Sequence, residues 1–269
     1  MSFSPTIANT ADECGIRAFG VVQSSLAALP ALRRQPGPVI GEPIPASLLK
    51  HADEQTVAGL AAVAHAVRDF GLAGQSFAQW GVLGAPCFPG RLCAAAAVSQ
   101  FLEEGALGVS PHIIPHRSTH SLSGTISLAF QMRGPNYGVG GAPGAVVEGL
   151  LAALALVVEE RPPGLWLVLT EWDPEPLPNG NGPSAEEAIC RAVALALVPE
   201  ATAEDVLRLR LVPAAVNEAG TAATVAGLAD FLKGTATGGG RHWRCPLDWG
   251  GTLELAPARP PCTLVGARS

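Results

Sequence analysis

The stretch from Gly138 to Thr170 constrains the fold more than any other part of the chain. Four glycines (Gly138, Gly140, Gly141, Gly144) make a turn, and an apolar run of helical length follows from Ala145 to Val158, extending to Glu160. Arg161-Pro162-Pro163 ends it, and Leu165–Thr170 is an apolar run of strand length. A short apolar run bounded by turn signals fits a strand buried on both faces. A helix feeding such a strand, in a chain that alternates strand and helix, predicts an α/β layered architecture with a mixed sheet and helices.

The flanking segments extend this pattern. Residues 15–24 read as a first buried strand, and Pro30–Pro45 as a linker. Leu48, Leu49, Val57, Leu60, Ala61, Val63, Ala64, Val67 and Phe70 recur at helical spacing, which predicts a helix from Ala46 to Phe70 with Gly71 closing it. Trp80–Gly84 reads as a short strand, 91–104 as a helix ending at Gly105, and Thr125–Phe130 as an element of its own. Beyond Glu171, Leu177–Ser184 is dense in turn residues and reads as a loop. Ala185–Leu197 reads as a helix, and Leu207, Leu209 and Leu211 alternate with Arg208 and Arg210 as in a strand with one wet face. Ala222–Leu232 reads as a helix, Gly234–Gly240 as a loop and Leu253–Leu255 as a last strand.

Composition narrows the function classes. The 269 residues suffice for a core without metal or disulfide staples. Hydrophobic residues make up 48%, charged residues 15%, and mean hydropathy is +0.29, so part of the apolar surface is expected to meet a partner. A net charge of −6 argues against nucleic-acid binding. Six scattered cysteines and no signal peptide point to a reduced, cytoplasmic, soluble protein. The longest apolar run, Leu150–Val158, falls far short of the ~18 residues of a membrane span.

A set of short motifs precedes the glycine turn: Val109-Ser110-Pro111, Ile114-Pro115, Gly124-Thr125-Ile126-Ser127 and Gly134-Pro135-Asn136. Their order and spacing resemble the N-terminal half of the β-ketoacyl synthases of the thiolase superfamily, without a gap from Pro115 to Asn136. The resemblance covers about Gly15 to Thr170 and implies a thiolase-like half as one ketosynthase-like domain over 1–269, with 171–269 divergent. In that family the nucleophilic cysteine sits at the helix N-terminus, a position that falls here on Pro143. The two histidine motifs of the family's second half do not occur. The chain looks closest to truncated, chain-length-factor-like subunits of aryl-polyene and polyketide clusters.

Other chemistries find weaker support in the residues. Pro143 suits the first turn of a helix, and the Gly140 and Gly141 N–H groups remain as an anion or carbonyl site. Gly138-Val139-Gly140 with Glu171 and Asp173 mimics a dinucleotide fingerprint, but the third glycine position is Pro143. His112, His116 and His120 stand four apart, yet no Asp or Glu lies between Gly105 and Glu148 to orient a metal site. Cys87 is a stand-in nucleophile without a recognisable base. His242, Cys245 and Cys262 are irregularly spaced for a metal, and Ser121 and Ser123 lie outside a Gly-x-Ser-x-Gly elbow. No cofactor or metal is expected.

The resemblance therefore implies a catalytically silent subunit paired with an active β-ketoacyl synthase in fatty acid, polyene or polyketide biosynthesis. It would help shape the acyl tunnel, and an acyl carrier protein stands as a further partner. Ile113, Ile114, Arg117 and His120 are the lining or interface candidates, with Phe130 and Met132 behind them and a core role equally open for both. A homodimeric acyl- or small-molecule-binding protein, and an enzyme built on Cys87 or a histidine, remain as alternatives.

Overall fold

The computed structural model describes residues 13–34, 44–109, 118–176, 187–202, 204–213, 223–236 and 242–258. Its elements run β1 (Glu13–Ser25), α1 (Leu29–Arg34), α2 (Ala46–Leu49), α3 (Glu54–Asp69), β2 (Gly81–Pro86), α4 (Arg91–Glu104), α5 (Thr119–Ala129), β3 (Asn136–Gly138) and α6 (Ala145–Glu160). They continue through β4 (Leu165–Asp173), β5 (Ile189–Val198), β6 (Leu207–Pro213), α7 (Val225–Ala236), β7 (Trp243–Pro246) and β8 (Gly251–Pro257). The strands form one eight-stranded sheet in the order β3-β2-β4-β5-β1-β6-β8-β7. β3, β2 and β4 are parallel, and every other neighbouring pair is antiparallel. The α/β layered, mixed-sheet expectation holds.

The body of the sheet, β2 to β1, is covered on both faces. Val82, Trp166, Val168, Ala192, Ala194 and Ala196 point toward α3 and α5. Leu83, Leu165, Leu167, Leu169, Val193 and Leu195 point toward α6 and α7. The approach of α3 is close because β1 offers Gly20, where a Cβ would stand 1.9 Å from the Ala62 carbonyl oxygen.

β1 carries a bulge at Arg17. Ile16 pairs with Leu197 and Ala18 with Ala196, so Arg17 is the extra residue. Cys14 and Ile16 lie in the α6/α7 core, whereas Ala18 and Val22 lie in the α3/α5 core.

The wing, β6-β8-β7, has a different second face. Leu207, Leu209, Leu253, Leu255, Trp243 and Cys245 join the α6/α7 core, but no wing residue belongs to the α3/α5 core. Register sets Glu13 beside Arg210, Arg210 beside Glu254 and Glu254 beside Arg244, a cross-strand row of alternating charge.

Several sequence expectations are corrected. Ala185–Leu197 is not a helix: Ile189–Val198 is β5, with β4 on one side and β1 on the other. The expected Ala46–Phe70 helix is two. The Asp53 carboxylate accepts from the Thr56 N–H at 2.8 Å and starts α3 afresh, while Arg33 holds the Leu49 and Ala52 carbonyls at 2.5 and 2.7 Å. The Pro30–Pro45 linker begins inside α1, and its residues 35–43 lie outside the described set, as do 177–186 and 237–240. Thr125–Phe130 is the second half of α5, and β3 and β7 have no counterpart in the sequence reading. Among the described residues, no helix is long and apolar enough to cross a membrane.

Candidate functional site

Because β2, β3 and β4 are parallel, their C-terminal ends open on one edge of the sheet, where α/β folds gather their ligand sites. That edge carries Pro86-Cys87-Phe88, the Gly138–Gly144 turn and Thr170-Glu171. The motifs singled out above are what assembles it. Asn136 Nδ2 donates to Ser127 Oγ at 2.8 Å, and Ser127 Oγ donates to the Gly124 carbonyl at 3.0 Å. The Gly-Thr-Ile-Ser and Gly-Pro-Asn motifs are thereby one joint, tying α5 to β3. A Cβ on Gly138 would stand 2.6 Å from the Thr119 carbonyl carbon, so only glycine lets the strand pass the start of α5.

The turn itself is built to start a helix. Gly140, Gly141 and Gly144 all have positive φ, which side-chain-bearing residues resist. Gly144 caps α6, so the exposed Pro143 precedes the cap instead of occupying the first helical turn. The Gly141 N–H donates to the Pro86 carbonyl at 2.8 Å and is already engaged. Glu148, in the first turn of α6, already sets a carboxylate against the positive end of the helix dipole.

Below Cys87 lies a buried polar network with no warning in the sequence reading. Asp53 Oδ2 accepts from the Gly90 N–H at 3.0 Å. Gln55 Nε2 donates to the Cys87 and Phe88 carbonyls at 2.8 and 3.2 Å, and Thr170 Oγ1 donates to Gln55 Oε1 at 2.6 Å. These bonds hold Phe88 at a φ of 49°. The Cys87 thiol is pushed up to about 11, first by burial and then by Glu171 and Glu175, against the opposing pull of Arg91. At neutral pH it is a thiol, a poor nucleophile.

The remaining candidates separate clearly. His120 is exposed on α5, its Nδ1 at 3.3 Å from the buried Ser123 Oγ. His112, Ile113, Ile114, His116 and Arg117 lie outside the described residues. Phe130 and Met132 are buried in the α3/α5 core, with Phe130 edge-on to Phe77 at 6.3 Å. Phe130 also lines a cleft of about 240 Å³ with Phe77, Ala78, Ala129, Gln75 and Gln131, a lining that does not include Met132. The acidic end of the dinucleotide pattern is engaged elsewhere, since Glu171 Oε1 accepts from the Ala226 N–H in α7 at 2.7 Å and Asp173 pairs with Arg191 at 2.8 Å. His242 bonds Glu254, and Cys262 is outside the described set. Among the described residues, no three His, Cys, Asp or Glu side chains are grouped to hold a metal.

No family model matches the sequence, and no curated protein does either. Solved structures do match. One is a type II polyketide synthase acyl-carrier protein in complex with its ketosynthase, at 12% identity and TM-score 0.60 over 91% of this chain and 99% of that one. A second is a ketosynthase in complex with its chain length factor from Xenorhabdus doucetiae, at 12% identity and TM-score 0.55 over 90% and 98%. A third, a β-ketoacyl synthase from Burkholderia phymatum, matches at 15% identity and TM-score 0.50, over 69% of this chain and only 59% of that one. The chain has the thiolase-like ketosynthase fold.

Proposed function

We propose that residues 1–269 form a single, catalytically silent, chain-length-factor-like domain. It pairs with an active β-ketoacyl synthase in fatty acid, polyene or polyketide biosynthesis and helps shape the acyl tunnel, in the cytoplasm. The observation that carries this reading is end-to-end correspondence. The matched chains of the two complexes are covered to 98% and 99%, so they are of this chain's size, whereas the Burkholderia synthase extends well beyond it. Pro143 in place of a nucleophile and a protonated Cys87 support silence.

Two surfaces support a partner. β3 is the last strand of the sheet, and Tyr137 on it is exposed. α4 has no buried residue and exposes Val98, Phe101 and Leu102, with Leu107 just beyond. Its packing is confined to its start, where Leu92 meets the α3/α5 core and Arg91 meets Glu175 and Phe88. A helix of this length is marginal in water without more, so α4 is built to be covered. The test is co-expression with a ketosynthase encoded beside it, then pull-down and native mass. A one-to-one complex whose condensation activity needs both chains is the expected result. A homodimer that ignores every ketosynthase would overturn it and favour the acyl-binding alternative, for which the Phe77–Phe130 cleft is the candidate pocket.

A further inference from the structure

The charged face of the wing is layered in depth. The side chains of Asp205 and Glu254 are 0% and 1% exposed, while Arg17, Arg208, Arg210, Arg244 and His242 stand between 35% and 43% exposed. Arg17 lies 3.7 Å from Asp205, Arg208 lies 3.6 Å from the part-exposed Glu13, and Arg210 and Arg244 lie 2.8 and 3.2 Å from Glu254, which His242 also contacts. Asp205 belongs to the same face, because a Cβ on Gly15 would meet its carboxylate at 2.3 Å and Gly15 stands beside Arg208. Two of the three carboxylates are therefore underneath and the guanidinium groups on top. In a chain of net charge −6, this face presents positive charge to whatever approaches it.

The buried Glu254 also fixes Arg210 and Arg244 in place by hydrogen bonds, while Arg17 stands near Asp205 and Arg208 near Glu13 at ion-pair distance only. An arginine already held pays less rotamer entropy when it meets a second carboxylate, and its planar fork suits carboxylate pairs. The Arg208 Nε is buried, but its Nη1 stands 3.6 Å from Glu13, beyond hydrogen-bond distance, so the outer end of that guanidinium is only partly used. Other carboxylates nearby, Glu204 and Asp248, are in the turns bounding the wing and not on its strands.

We infer that the open face of β6-β8-β7 is a docking surface for an acidic protein surface, held by Arg208, Arg244 and Arg17. This goes beyond the subunit reading and does not depend on it. The probe is a fluorescent Glu-rich helical peptide, with its Gln-for-Glu counterpart as control, titrated into the full chain by anisotropy. The acidic peptide binds at an ionic strength of about 0.02 M and is lost at about 0.5 M, as screening requires. The Arg208→Gln/Arg244→Gln variant binds at least about tenfold more weakly, while Arg68→Gln, on an exposed pair far along α3, binds as the parent does. Arg208→Gln alone, which bares no buried carboxylate, gives an intermediate loss and serves if the double variant unfolds. Equal binding of the two peptides, or no loss in the arginine variants, would overturn the inference. So would displacement by millimolar inorganic phosphate, which would make the face a small-anion site instead.

Discussion

The body and the wing of the sheet are stabilised on their α3-side faces by different physics. In the body that face meets α3 and α5, and Trp166, Val168, Ala192 and Ala194 are fully buried there. In the wing the corresponding face carries Arg208, Arg210, Arg244, Glu254 and Thr252, with ion pairs in place of a helix. Antiparallel strands tolerate one solvated face, but pairing alone does not set the boundary. β4, β5 and β1 are also antiparallel neighbours and stay covered on both faces, so the change comes where α3 and α5 cease to cover the sheet. Packing is indifferent to pH and salt to first order; ion pairs are not.

That contrast can be tested by breaking each side separately. The largest effect belongs to the body: Gly20→Val drives a side chain into the α3 backbone, and a loss of more than about 3 kcal/mol in urea unfolding is expected. Second comes the wing. Glu254→Ala leaves Arg210, Arg244 and His242 without their carboxylate, and because those groups are part-exposed the expected cost is about 2 kcal/mol. The hydrogen bonds from Arg210, His242 and Arg244 hold the Glu254 carboxyl at about 2, below its ordinary 4.5, despite the opposing effect of burial. A depressed acid stabilises the fold above about 4.5 and loses that contribution as pH falls toward about 2. Hydrogen exchange through that window should show β8 and β7 amides opening before those of β4 and β5; simultaneous opening would erase the distinction.

Smaller still is the effect of Phe101→Ser/Leu102→Ser on α4. These residues are exposed, so the isolated chain should change by less than about 0.5 kcal/mol while its complex with a ketosynthase weakens. An equal loss in the isolated chain would mean that α4 packs on its own body. The smallest is a null: Cys87, pushed up to about 11, should alkylate no faster at neutral pH than a free thiol by intact mass. Selective labelling would reopen the cysteine-enzyme alternative.

The same contrast explains what could be read from sequence. β6 was legible because one wet face leaves its arginines alternating with leucines. β5 was misread because strands flank it on both sides and helices cover both faces, so Ala192 to Val198 is apolar at every position and its period disappears. The Leu165–Leu169 run of β4 is equally apolar, but the prolines at 162 and 163 and the short length of that run mark it as a strand. At the site, the glycine turn and the start of α6 were legible to within a residue or two, since positive φ and helix initiation leave local signatures. The Asp53–Gln55–Thr170 network was not, because its partners are as much as 115 residues apart. The row from Glu13 to Arg244 is equally long-range, and only its Arg208/Arg210 fragment is visible locally.

The bulge at Arg17 has a consequence for how the chain can vary. The centre of a sheet is normally where a polypeptide is least free to gain or lose a residue, since a slip of one inverts every side chain beyond it. Here the surplus residue is already present. With Arg17 removed, Ile16 would adjoin Ala18 and still face the α6/α7 core, while Ala18 kept its place against α3. The middle strand of this sheet thus holds a built-in tolerance for a change in length, at the boundary where the body gives way to the wing.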